Sequence, residues 1–92
     1  MERKEVKEMY YCYVVLCADG TLYTGSSNNV AKRVATHNAG KGAKYTKTRR
    51  PVKLIYQQEF ADKSSALSFE AKFKQKTRAA KIAYLQAHQV HV

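Results

Sequence analysis

The chain has 92 residues, 45% apolar and 26% charged, enough for one modest core but short of two domains of roughly 100–200 residues each. Lysine and arginine number 17 against 7 aspartates and glutamates, a formal net charge of +10, which makes a polyanion the default partner. Cys12 and Cys17 lie in an apolar run without zinc-site spacing or disulfide density, no apolar stretch approaches the ~18 residues of a membrane span, and the start MERKEVKE lacks a leader's apolar core; reduced cysteines, a cytoplasmic location and no membrane association are expected.

Residues 1–8 alternate acidic and basic charges around Val6 and read as a charged lead-in. The run Tyr10–Cys17 is aromatic and β-branched throughout; Ala18-Asp19-Gly20 breaks it and Thr21–Thr24 resumes it, the signature of a hairpin. A three-residue loop with Gly20 left-handed sets Val15 opposite Tyr23 and puts Tyr13 and Tyr23 on one face, whereas a two-residue Asp-Gly turn pairs Leu16 with Tyr23 and separates the tyrosines. The turn and cap residues Gly25–Asn29 precede a helix over about Asn29–Asn38. Val30, Arg33, Val34 and His37 share one of its faces, and Arg33 and His37 are expected near the sheet.

The segment 39–50, AGKGAKYTKTRR, has two glycines, many cations and no acid, and is expected to be a loop. A third strand starts at Pro51 and ends near Phe60. Asp62–Ser65 cap a helix over about Ser64–Lys76 with Ala66, Phe69 and Phe73 as its buried arc and Glu70 on the flank. A last helix spans Ala79 to about His88 and carries Ile82, Tyr84 and Leu85. Residues 89–92 are a short tail.

Between Gly20 and Gln58 there is no carboxylate, yet Lys32, Arg33, Lys41, Lys44, Lys47, Arg49, Arg50 and Lys53 all fall there. Phosphate binding accounts for that asymmetry better than a solvated surface does. Tyr45, freed by Gly40 and Gly42, either stacks on a base or packs internally. Asp19 and Asp62 are explained by a turn and a helix start. Glu70, beside an apolar arc, either pairs with Lys74 at i+4 or holds one Mg²⁺ whose shell is completed by water and phosphate; a two-metal site has too few acids. His37 and His88 are either structural or exposed histidines or candidate bases, and the neighbouring Arg33 favours a site role for His37. A P-loop, a nucleophile elbow and Cys/His metal spacing are absent.

The order Tyr11-Cys12-Tyr13, Leu22-Tyr23-Thr24-Gly25, Arg33 and His37 on the next helix, and Glu70 on a later one resembles the GIY-YIG nuclease superfamily over residues 9–86. The stretches LYTG, HNAGKGAKYT and RRPVKLIY look like its small stand-alone bacterial branch. The resemblance implies an α+β fold, a small three-stranded antiparallel sheet flanked by about three helices, as one nuclease domain over 9–88 with the site groups on one face. The hairpin with the three-residue loop is the one compatible with it. The Gly and Ile of the first motif are replaced by Tyr11 and Cys12, and residues 71–92 lack the asparagine that some members carry.

Carried over, the resemblance makes Tyr23 the base or water-orienting group, with Tyr13 supporting it. Arg33 clamps the phosphate, His37 positions water or phosphate, and Glu70 holds a single Mg²⁺ or Mn²⁺. Lys41, Lys44, Tyr45, Lys47, Arg49 and Arg50 would track the nucleic-acid backbone, giving affinity and salt dependence without sequence information. The expected activity is metal-dependent endonucleolytic hydrolysis, of DNA ahead of RNA, with low sequence specificity, in a setting such as repair or recombination; the alternative is a non-catalytic nucleic-acid-binding module on the same scaffold. A protein partner is not identifiable from sequence.

Overall fold

The computed structural model describes residues 9–92, and the charged lead-in of 1–8 lies outside the described residues. Strands β1 (Tyr10–Leu16), β2 (Leu22–Ser27) and β3 (Lys53–Phe60) form an antiparallel sheet in the order β2-β1-β3. Helix α1 (Val30–Asn38) and a single helical turn α2 (Lys44–Lys47) lie between β2 and β3, and α3 (Lys63–Lys74) and α4 (Arg78–Ala87) follow β3.

The hairpin has the three-residue loop. Gly20 donates to the Cys17 carbonyl at 2.9 Å, Cys17 donates to Thr21 at 2.8 Å, and Gly20 takes φ +86°, a left-handed geometry that glycine adopts without a Cβ penalty. Asp19 Oδ1 accepts from the Thr21 amide and hydroxyl. The register then sets Val15 opposite Tyr23 and Tyr13 opposite Gly25, so both tyrosines share a face.

That alternation divides the core in two. Tyr13, Val15 and Cys17 pack with Val30 and Val52 on the face covered by α1. Val14 packs with Phe73 and Leu85, joined by Phe69 and Tyr84, on the face covered by α3 and α4. Each long helix starts at a side-chain cap that accepts an otherwise unpaired amide: Asn29 from Lys32, Asp62 from Ser65 and Thr77 from Ala80. Helix α4 closes with Gln89 at φ 69° and Val90 donating back to the Leu85 carbonyl at 2.9 Å, which seats Val90 against the second core. Both cysteines are buried free thiols, and no helix among the described residues is long and apolar enough to cross a membrane.

Several expectations change. Strand β3 starts at Lys53 and not at Pro51, because Pro51 and Val52 lie outside the strand, and α4 covers Arg78–Ala87 and not Ala79 to about His88, because Thr77 caps it. Helix α3 spans Lys63–Lys74, starting and stopping earlier than the Ser64–Lys76 periodicity reading. The 39–50 segment is not all loop, because α2 forms within it. Four residues carry no hydrophobic period to read; instead, α2 is held by side-chain bonds to its carbonyls from the arginines that follow it and by His37, which bonds Thr46. Arg49 donates to the Tyr45 carbonyl at 2.8 Å and Arg50 to the Lys47 carbonyl at 2.9 Å. Asn38 pairs with both backbone groups of Val52, accepting at 2.7 Å and donating at 3.1 Å, which ties the end of α1 to the start of β3.

Candidate active site

The site begins with Tyr13, in the middle of the central strand β1 and 1% exposed. Its ring lies across Gly25 of β2: a Cβ there would stand 2.6 Å from the Tyr13 hydroxyl oxygen and 2.7 Å from Cζ. Only glycine allows that approach, which gives the glycine of the YTG segment a steric role. The hydroxyl then meets His37 Nε2 at 2.8 Å.

His37, in the last turn of α1, is itself 1% exposed. Its other ring nitrogen, Nδ1, lies 2.8 Å from Thr46 Oγ1, and Thr46 donates its one hydroxyl hydrogen to the Ala43 carbonyl at 3.1 Å. Thr46 therefore accepts from His37, which puts the imidazole proton on Nδ1 and leaves Nε2 to accept from the Tyr13 hydroxyl. Burial, with a smaller contribution from the Arg33 guanidinium, holds His37 below its ordinary pKa and hence neutral at pH 7. Gly42 makes room for the ring, since a Cβ there would come within 2.7 Å of His37 Cγ.

Both ring nitrogens of His37 are thus engaged by protein side chains, and its route to the reacting groups is through the Tyr13 hydroxyl that it bonds. Burial chiefly, and then the neighbouring Tyr23, push the Tyr13 hydroxyl up to about 12, while Arg33 opposes them by charge and hydrogen bond. Glu70 also raises it. Arg33 is thus the candidate cation that hydrogen-bonds the Tyr13 hydroxyl, while Tyr23 and Glu70 act on it through charge. Arg33 is exposed on α1 and presents its guanidinium from the solvent side. The Tyr23 ring meets that of His37 edge-on at 5.2 Å and stacks against Tyr45 at 5.9 Å.

Glu70 and Lys74 come from α3, on the opposite face of the sheet, so the site groups do not all share one face. They meet the tyrosines at β2, the edge strand. Lys74 Nζ pairs with Glu70 Oε2 at 2.8 Å and lies 6.0 Å from the Tyr23 ring centroid, and its hydrogen bond to Glu70 raises its pKa. The Glu70 side chain is 15% exposed, and its charge, after burial itself, helps push the Cys12 thiol up to about 12. A carboxylate is a hard oxygen donor of the kind that Mg²⁺ or Mn²⁺ takes, and here it is engaged by the Lys74 ammonium. No group of three His, Cys, Asp or Glu occurs among the described residues, so water and substrate oxygens would supply the rest of the shell.

The basic segment divides into two kinds of cation. Arg49 bonds Asp19 Oδ2 at 3.0 Å and covers the Tyr45 ring at 3.9 Å, and Arg50 bonds the Lys47 and Asn38 carbonyls; both guanidiniums hold the loop together. Lys41, Lys44 and Lys47 instead line an open groove with Gly40, Gly42 and Ala43. Tyr45, 38% exposed, does pack internally, while keeping an outer edge. His88 lies apart from the site, donating from Nδ1 to the Tyr84 carbonyl at 2.8 Å and stacking on Tyr84.

Residues 9–83 match the family model of the GIY-YIG catalytic domain. The chain belongs to the GIY-YIG family. This domain is 60% identical over 85 residues to a UPF0213 protein of Lactiplantibacillus plantarum, covering 90% of this chain and 84% of that one. A UPF0213 protein of Streptococcus agalactiae is 54% identical, covering 90% and 94% respectively. Two solution NMR structures share the GIY-YIG fold seen here: a protein from E. faecalis (TM-score 0.61, 40% identity, 100% of this chain and 96% of that one) and a UPF0213 protein from Bacillus halodurans (TM-score 0.58, 35% identity, 86% and 84%). Three signals escaped the sequence reading of this GIY-YIG domain: Thr46, Gly42 and Asn38. The polar or glycine character of each is visible in the chain, but each acts on a residue distant in sequence or across a loop.

Proposed function

We propose that this GIY-YIG domain is a metal-dependent endonuclease that hydrolyses phosphodiester bonds of DNA with low sequence specificity, in repair or recombination. The observation that carries the reading is the buried Tyr13 hydroxyl, bonded to His37 Nε2 at 2.8 Å and to Arg33, with the Tyr23 ring edge-on to the same imidazole. Phosphodiester hydrolysis needs an oriented water, compensation for charge on the phosphoryl oxygens and stabilisation of the leaving oxygen. Tyr23 orients the attacking water through its hydroxyl. Tyr13 gives its hydrogen to His37, so its oxygen lone pairs are left for Arg33 and for hydrogen donors of the reacting groups. The Arg33 fork, solvent-facing and permanently charged, grips the scissile phosphate. Glu70 would hold a divalent cation, which when bound supplies Lewis-acid stabilisation of the leaving oxygen. Lys41, Lys44 and Lys47 track the flanking backbone, which confers salt dependence and no sequence readout.

The Glu70–Lys74 ion pair favours a second reading, a binding module whose carboxylate is already neutralised. Glu70→Ala separates the two. Labelled single-stranded, duplex and branched DNA, and RNA, are incubated with Mg²⁺ or Mn²⁺ and with chelator. Metal-dependent cuts absent in Glu70→Ala, with binding kept or tightened by removal of a negative charge, are the expected result. Cleavage unchanged in the variant would remove Glu70 from the reaction, and salt-sensitive binding without cleavage would establish the binding module.

A further inference from the structure

At the outer edge of β2, where the two faces of the sheet meet, a cavity of about 310 Å³ is lined by Leu22, Tyr23, Thr24, Tyr45, Lys74 and Lys81. Its size is at the small end of the range for ligand sites, roughly 300–1,000 Å³, room for one nucleotide unit. Lys74 belongs both to this cavity and to the ion pair with Glu70, so the cavity abuts the proposed reaction centre. Lys81, from α4, lies outside every motif of the sequence reading. It is half-buried and in no ion pair among the described residues.

The charge balance is asymmetric. Glu70 neutralises Lys74, which leaves the Lys81 ammonium as the net charge of a space whose walls are otherwise two tyrosine rings, a leucine and a threonine. A half-buried ammonium without a carboxylate favours an anion, and walls of aromatic and aliphatic groups favour a planar apolar body beside it. A bare inorganic anion would leave those walls unused. We propose that this cavity is a subsite for one nucleotide next to the scissile bond, with its phosphate on Lys81 and its base against the Tyr45–Leu22 wall. The assignment rests on the nuclease reading for the word scissile, and on the cavity alone for the ligand class.

The test is an amide NMR titration of the whole chain, in chelator, with thymidine 5′-monophosphate, inorganic phosphate, thymidine and an acidic tetrapeptide in separate arms. Shifts centred on Leu22–Thr24, Tyr45, Lys74 and Lys81, stronger for the nucleotide than for phosphate or thymidine, are expected. Lys81→Gln should weaken nucleotide binding roughly tenfold, the worth of one charge-assisted hydrogen bond, and Lys81→Arg should restore most of it; the dispersion of the same spectra reports that each variant is folded. Shifts confined to 40–47, an unchanged affinity in Lys81→Gln, or a stronger response to the peptide would each overturn the subsite. Cutting that depends on metal and on Glu70, without these shifts, leaves the nuclease standing and removes the subsite. The shifts without any cutting leave a nucleotide-binding cavity and remove the nuclease.

Discussion

Thr46→Val tests the hydrogen-bond chain at its far end. Valine keeps the shape of threonine, and Thr46 is fully buried, so the change removes one hydroxyl without opening a cavity. The hydroxyl makes two bonds, to the Ala43 carbonyl and from His37 Nδ1. Ala43 keeps a partner, because the Lys47 amide also donates to it at 3.1 Å. The cost therefore falls on the His37 N–H, left unpaired in a buried position, at about 1–3 kcal/mol. For a domain of this size that lowers the melting temperature by roughly 5–20 °C. The neutral imidazole can relieve the cost by moving its proton to Nε2, which turns the bond with Tyr13 around. Two-bond ¹H–¹⁵N spectra of the imidazole read the tautomer directly: a protonated Nδ1 and a bare Nε2 in the natural chain, a partial or full exchange of roles in Thr46→Val, and restoration in Thr46→Ser. A natural chain with the proton on Nε2, or a Thr46→Val variant with unchanged melting and tautomer, would refute the reasoning.

Three further outcomes are expected. Gly25→Ala drives a methyl into the buried Tyr13 ring, whose hydroxyl is tied to His37; overpacking of this kind costs about 1–3 kcal/mol, and a chemical denaturation midpoint at the natural value would show that the ring can move aside. Replacing Lys41, Lys44 and Lys47 together by Gln should reduce the slope of log affinity against log salt by about 2–3, whereas Arg49→Gln should chiefly lower stability through the lost Asp19 and Tyr45 bonds; equal slopes in the triple variant and the natural chain would take those lysines off the backbone track. Because the folded-state pKa of His37 is held below its ordinary 6.5, the unfolded chain binds the proton first, so stability is full above about 6.5 and falls as pH drops from there towards the lowered value. Denaturation midpoints against pH should show that fall in the natural chain and lose it in His37→Gln.

Local chemistry made much of this fold legible in the sequence. An aromatic and β-branched run broken at Asp19-Gly20 gives a hairpin wherever it occurs, and Asn29 and Asp62 start helices because a short polar side chain captures an amide two or three residues on. The positions of Tyr13, Tyr23, Arg33, His37 and Glu70 could be named from their order along the chain. Their relation to one another could not. Glu70 lies on the face opposite Tyr13, and it approaches the site only because β2 is an edge strand around which α3 can reach.

The same limit explains α2 and the basic segment. Four residues with no apolar period form a helical turn because His37, Arg49 and Arg50 hold them, and a run of cations separates into structural arginines and open lysines once Asp19, distant in sequence, claims Arg49. Composition already makes a polyanion the default partner, since net charge is a sum that folding does not alter. Which cations stay free to meet that partner, which nitrogen of His37 carries the proton, and the convergence of Lys81 with Tyr45 depend on contacts between residues far apart in the chain, and those contacts exist only once the sheet has brought its two layers of helices together.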